Sequence, residues 1–346
     1  MPRTNPVPAL LSALSLNPSN STVKAHGGSG FASTFKIETE TEDGRKERIF
    51  VKTGAGKDAE IMFRGEHESL NAIQQAVPTL CPRAFSHGPL GEGSEQFYMA
   101  TDFLDLSPSG SSKGESLASK IARLHSTPAP EKYAGKFGFP VPTCCGSTVQ
   151  DNTWEDTWAD FFGKRRLMMI MKESERKNGP DSELRHYVEK TVETVVPRLL
   201  GNLKDLKPVL VHGDLWSGNA SRGILGEKQD DGMIEEVIYD PSVSYSHIFR
   251  AQLPKMILID GAGKACYAHN EYEMGIMKLF GGFGTAFFNE YHKLIPKSEP
   301  LEEYEDRLKL YGLYHQLNHH ALFAGGYRGG AVSTMRSLLL KYVENK

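Results

Sequence analysis

The 346-residue chain has few cysteines, no long apolar run and almost no net charge, and each shortage removes a class of protein from consideration. Cys81, Cys144, Cys145 and Cys266 are its four cysteines. They make neither a C-x-x-C pair nor a recognisable disulfide framework, which excludes a disulfide-stapled scaffold and points to a reducing, cytoplasmic compartment. No stretch approaches the ~18 apolar residues of a membrane helix, so no membrane partner is expected. From Met1 to Asn20 the only charge is Arg3, and the brief apolar run lacks a small-residue cleavage site, so this stretch reads as a first helix packed on the domain. A net charge of −3 gives no general attraction to nucleic acid or anionic lipid. Phosphate binding would have to come from local geometry.

What is present is an ordinary globular composition, 39% apolar and 24% charged, on a chain long enough for two domains. One stretch organises it. Val209-Leu-Val211 reads as a short buried strand running into His212-Gly-Asp-Leu-Trp-Ser-Gly-Asn219. His212, Asp214 and Asn219 have the H-x-D-x-x-x-x-N spacing of a kinase catalytic loop. In such a loop the Asp takes the proton of the attacking hydroxyl and the Asn holds magnesium. The same residue types also favour plain turns, so the loop needs partners elsewhere in the chain.

The partners lie upstream and downstream. Ser21 to Ile37 reads as a hairpin with Gly27, Gly28 and Gly30 at its tip, where free backbone N–H groups can nest phosphate oxygens. Phe35–Thr41 and Glu47–Thr53 alternate as strands around a turn, and the second delivers Lys52. A helical stretch, Met62–Ile73, offers Glu66 or Glu68 as the anion for that lysine. Glu95–Leu104 reads as a central strand leading to a hinge, where backbone groups around Thr101, Phe103 and Leu104 would bind adenine. Ser107–Gly114 is a flexible linker by composition, dividing an N-lobe at 1–106 from a C-lobe at 107–346. Helices are expected over Leu117–His125, with His125 as a packing histidine, over Asn152–Met171 and over Ser182–Leu203. After a polar excursion, Val237-Ile-Tyr-Asp240 returns a carboxylate that can complete a magnesium site.

Together these pieces resemble the fructosamine kinase (ketosamine-3-kinase) family, relatives of aminoglycoside and choline kinases. The most specific stretches are F-x-G-E-x-x-S-L at Phe63–Leu70, G-F-x-x-P-T-C-C-G at Gly138–Gly146, N-x-W-x-x-x-W-x-x-F-F at Asn152–Phe162 and H-G-D-L-W-S-G-N at His212–Asn219. The resemblance implies an α+β, two-lobed protein-kinase-like fold: a small antiparallel-sheet N-lobe with one main helix, and a larger, mostly helical C-lobe. It selects Glu66 over Glu68 as the lysine partner. It also implies phosphoryl transfer from MgATP to the 3-hydroxyl of ketosamines, free or on glycated proteins, leading to deglycation. Asp214 would be the catalytic base, Asn219 and Asp240 the metal ligands, and Lys52 with Glu66 the holders of the ATP phosphates.

One departure stands out. Joining Ser242 directly to Ala265 restores the family spacing, with Tyr267, His269, Glu271 and Glu273 in register, so 243–264 reads as an insertion of 22 residues. It is either a genuine loop or a retained intron, since Val243-Ser244 can be encoded by a splice-donor sequence and Lys264 by a codon ending in the acceptor dinucleotide. Two other functions stay open: a small-molecule kinase of the aminoglycoside or choline type, and an inactive kinase-like binding protein. A protein kinase proper is disfavoured, because neither D-F-G nor A-P-E is recognisable and Asp240 is followed by Pro241.

Overall fold

The computed structural model describes residues 7–28, 32–106, 111–225, 233–239 and 264–344. The chain divides into two compact units: Met1–Ser116 with Asn219–Gly263, and Leu117–Gly218 with Lys264–Lys346. Gly30, Asp240 and all of 243–264 except Lys264 lie outside the described residues.

The first unit opens with helix α1 (Val7–Ala13), shorter than the expected first helix. Strands β1 (Ser21–Gly28), β2 (Ser33–Glu40) and β3 (Lys46–Ala55) follow as an antiparallel meander. Helix α2 (Gly56–Ala76) comes next, then β4 (Ala84–Pro89), β5 (Gln96–Asp102) and the short β6 (Leu104–Asp105). The sheet order β1-β2-β3-β5-β4 makes β3 central, and its run Ile49–Thr53 is buried. Leu10 and Leu11 of α1 pack with Ile37, Ile49, Val51, Tyr98 and Ala100 in the core on one face of this sheet. Helix α2 starts six residues earlier than the periodicity predicts, with Gly56 at φ +78° turning the chain out of β3. Glycine reaches that φ without steric cost.

The chain then enters the second unit with α3 (Leu117–Leu124), the hairpin β7 (Thr143–Cys145) and β8 (Thr148–Gln150), and helical segments α4 (Trp158–Asp160) and α5 (Met169–Asn178) joined by a π-helical stretch. Sequence patterning started this helix at Asn152. It starts at Trp158 because Asn152 is buried with its carboxamide donating to the Val141 carbonyl and the Thr143 hydroxyl, and Thr157 caps the helix through the Asp160 amide. Segments α6 (Ser182–Lys190) and α7 (Val196–Leu200) precede β9 (Val209–Val211).

Strands β10 (Ala220–Leu225) and β11 (Glu235–Ile238) belong to the first unit, where β10 pairs with β6 through Ile224 to Asp105 and Leu225 to Leu104. That pairing explains why 219–263 groups with the sheet unit rather than with the residues around it in sequence.

The chain finishes in the second unit with β12 (Cys266–Ala268), antiparallel to β9, and helices α8 (Glu271–Phe280), α9 (Thr285–Leu294), α10 (Tyr304–Phe323) and α11 (Tyr327–Leu339). Helix α10 is buried on nearly all sides and is the axis of this unit. It meets α8 closely at Gly275, where a Cβ would stand 2.5 Å from that of Tyr311.

Candidate active site

In the first unit the apolar face of α2 repeats at Ala59, Met62, Phe63, Glu66, Leu70 and Ile73, so Glu66 holds the place of a core residue. A carboxylate there requires a partner, and β3 supplies it. Lys52 Nζ lies 2.6 Å from Glu66 Oε1, with both residues only 3% exposed. Burial pushes the Glu66 carboxyl up and the Lys52 ammonium opposes that push. Glu68 is half-exposed and pairs with His67 instead, which settles the choice the sequence left between the two acids.

The pair opens onto a cleft lined by His26, Phe50, Lys52, Glu66, Thr101, Phe103, Leu104 and Tyr239, among others. Thr101, Phe103 and Leu104 therefore line the same cleft as the ion pair. The Asp102 N–H donates to the Arg83 carbonyl and the Phe103 N–H to the Arg48 carbonyl, each at 3.0 Å. Those two amides are spent, and Phe103 offers its ring to the cleft. His26, absent from the sequence reading, meets that ring edge-on at 5.4 Å. It sits where β1 slips register against β2 between Ala25 and Gly27, a bulge that no composition signal announces. Gly27 and Gly28 end β1, opposite Thr34 and Ser33.

Asn219 is buried at the head of β10. Its carbonyl accepts the Tyr239 N–H at 3.0 Å, and the strands pair from Ala220 with Ile238 onward. The hairpin thus sets Asn219 opposite the residue that precedes Asp240 in sequence.

In the second unit β9 pairs with β12 through Leu210 to Tyr267, and the loop that follows is clasped by one acid. Glu273, on α8, accepts the His212 N–H at 2.6 Å and the Gly213 N–H at 3.1 Å through Oε2. It accepts the Leu215 N–H at 3.0 Å through Oε1, to which Gly213 also donates. Burial alone would raise this carboxyl, but His125, His212 and the Leu215 amide outweigh it and hold it below its usual value. His125 Nε2 stands 3.8 Å from Glu273, and its Nδ1 is 2.7 Å from the Tyr291 hydroxyl, consistent with a packing role. His212, pushed down by burial, accepts the Asp214 N–H on Nδ1 at 3.3 Å. Gly213 has φ +83°, and a Cβ there would come within 2.5 Å of the Lys264 carbonyl.

Asp214 is nearly buried, and its two oxygens face different neighbours. Oδ2 is ion-paired with Lys264, the last residue of the insertion, while Oδ1 lies 3.9 Å from His315 Nδ1. Sequence reasoning singled out neither Lys264 nor His315. It placed Glu273 only in register with a family pattern, although a glutamate between Tyr272 and Met274 in an apolar helix is itself a signal of a buried acid with backbone partners. A second buried acid, Glu271, is held by Arg307 through bonds of 2.7 and 3.2 Å.

No helix among the described residues is long and apolar enough to cross a membrane. A family model described as fructosamine kinase matches residues 10–250 and 248–341, the two matches meeting inside the insertion. A ketosamine-3-kinase from Mus musculus is 31% identical over 92% of this chain and 96% of its own length. A chloroplastic protein-ribulosamine 3-kinase from Arabidopsis thaliana is 34% identical over 84% of this chain and 76% of its own. Among solved structures, a candidate fructosamine-3-kinase from Haemophilus somnus 129PT superposes with a TM-score of 0.66 at 19% identity, covering 96% of each chain, and establishes the two-lobed kinase-like fold.

Proposed function

We propose, from the premise that the chain belongs to the fructosamine kinase family, that it phosphorylates the 3-hydroxyl of ketosamines with ATP. The observation that carries the reading is the buried Lys52–Glu66 pair at the wall of the first unit's cleft. An ammonium fixed by a carboxylate and facing a cleft is the group that positions nucleotide phosphates in kinase-type transfer. The family relatives supply the substrate class, since one acts on ketosamines and another on protein ribulosamines by name.

In this reading Lys52 holds the phosphates, and Phe103 and Phe50 flank the base. Asp214 orients the sugar 3-hydroxyl and takes its proton as the hydroxyl oxygen bonds to the γ-phosphorus and ADP leaves. Glu273 keeps the loop backbone fixed, so that Asp214 stays aimed without reorganising. Asn219 and Asp240 offer carboxamide and carboxylate oxygens, a donor set that suits Mg²⁺. The ion, when bound, neutralises charge on the transferring phosphoryl group. The phosphorylated adduct is unstable and releases the amine, the outcome called deglycation. Four buried free thiols fit a reducing, cytoplasmic setting for this work.

Lys264 against Asp214 favours a second reading, a nucleotide-binding protein without turnover. One assay separates them. The chain is incubated with MgATP and fructosyl-lysine, ribulosyl-lysine, choline or an aminoglycoside, and ADP release is followed. Turnover with a ketosamine, lost by about 10²–10⁴-fold in Asp214→Asn with nucleotide binding retained, is the expected result. ATP binding with no turnover on any acceptor would sink the first reading.

A further inference from the structure

Three ligand atoms of different chemistry converge in the second unit: Cys145 Sγ, an Asp214 carboxylate oxygen and a His315 ring nitrogen, all within 4.8 Å of one another and all on buried residues. His315 is 1% exposed, and neither of its ring nitrogens has a hydrogen-bond partner among the described residues. Leaving a buried polar atom unsatisfied is costly, and a native protein rarely bears two on one ring without a ligand to meet them. Burial and the nearby Lys264 ammonium hold this imidazole well below its usual range, so it is the neutral ring that metals take.

The surroundings of Cys145 tell the same story from the sulfur's side. Asn318 Nδ2 donates to Cys145 Sγ at 3.0 Å. A relay of buried side chains leads to Tyr314 in the same core. Thr143 Oγ1 donates to Gln150 Oε1, which turns Gln150 Nε2 toward the Tyr314 hydroxyl oxygen at 2.8 Å. A buried sulfur that accepts an amide N–H suits a thiolate better than a thiol. Burial nevertheless pushes the empty-site thiol up to about 11, so a cation is needed to draw the proton off.

We propose that Cys145, Asp214 and His315 form a binding site for a thiophilic divalent cation of the Zn²⁺ type, and that its occupation switches the kinase off by engaging Asp214. Sulfur, imidazole and carboxylate together select Zn²⁺ over Mg²⁺, so the site is separate in chemistry from the oxygen donors Asn219 and Asp240. Binding releases one proton, from the Cys145 thiol. Oδ1 of Asp214 turns to the metal, while Oδ2 keeps its ion pair with Lys264. The inhibitory clause rests on the proposed role of Asp214; the binding clause does not.

Co²⁺, a spectroscopic stand-in for Zn²⁺, tests the binding clause on the full chain without nucleotide or Mg²⁺. One equivalent should bind with a thiolate-to-cobalt charge-transfer band that Zn²⁺ displaces. The band should vanish in Cys145→Ser and persist in Cys144→Ser, and affinity should fall about 10–100-fold in Asn318→Ala, which removes an outer-sphere donor. Zn²⁺ should also raise the Tm of the native chain and leave Cys145→Ser unmoved, a readout that holds even if His315→Ala fails to fold. Absence of the band in the native chain, or its survival in Cys145→Ser, overturns the site. In the ketosamine assay, micromolar Zn²⁺ should halt ADP release by the native chain and not by Cys145→Ser. Stoichiometric binding without inhibition would leave the site standing and overturn the inhibitory clause.

Discussion

Replacing Glu273 by Gln tests how the loop around Asp214 is held. In the native chain two carboxylate oxygens receive three backbone N–H groups, from His212, Gly213 and Leu215, inside a buried environment. A carboxamide is nearly the same shape but keeps one acceptor oxygen and turns an NH₂ donor toward at least one of those amides. Hydrogen bonds to a charged group contribute about 1.5–3 kcal/mol each, and a buried N–H facing another donor adds its own desolvation cost. The substitution should therefore cost about 3 kcal/mol in urea unfolding and lower kcat for a ketosamine about 100-fold, the penalty for a displacement on the order of 1 Å at a reacting group. The KM for ATP should move little, because Lys52 and Glu66 belong to the other unit. The pH dependence has a definite sign. Glu273 is depressed in the folded chain, so its contribution is complete above the ordinary carboxylate range, near 4.3, and is lost as pH falls through the lower folded value. Glu273→Gln should lack that acid-side loss. Unchanged unfolding, together with a kcat within twofold of native, would refute the clasp and shift the loop's support to the β9–β12 pairing and the Lys264–Asp214 ion pair.

Lys52→Met should unpair Glu66 in the core, raising the KM for ATP and cutting kcat, while circular dichroism of the chain stays native; an unchanged KM would remove Lys52 from the nucleotide site. Arg307→Met should strip the buried Glu271 of both its guanidinium bonds and the Ser298 and Pro300 carbonyls of their donors, destabilising the second unit by about 3–5 kcal/mol in a thermal or urea melt. A shift under 1 kcal/mol would show that the cavity repacks around the lone carboxylate.

Much of this was legible from residues alone, and the reasons differ by place. Lys52 could be read because a lysine ending an apolar strand needs an anionic partner; the residues left Glu66 and Glu68 for it, and the family resemblance chose Glu66. The kinase-like fold followed from the catalytic-loop spacing and the family-specific stretches, and the Mus musculus relative and the Haemophilus somnus structure bear that out. Helix α2 was placed by its periodicity but not its start, since Gly56 turns the chain through a φ that composition does not mark. The start of the Trp158 helix was missed because the buried bonds of Asn152 override its helical surroundings. Lys264 and His315 were invisible for another reason. Their meaning depends on Asp214 lying beside them, and residues 50 and 101 positions away announce no such meeting in one sequence.

Glu273, β12 and His315 arrive only after the insertion, and Lys264 ends it. The polypeptide must therefore be translated past residue 264 before the loop at 212–215 has anything to close on. A message that shifted frame within 243–264 would encode the Lys52–Glu66 cleft and a loose Asp214, a product able to sequester nucleotide yet without its catalytic geometry. One that dropped all 22 codons would keep frame and keep Glu273, and would remove the lysine that sits on the base. Were 243–264 a retained intron rather than a genuine loop, its removal would change the charge beside Asp214 while keeping the acid that holds the loop.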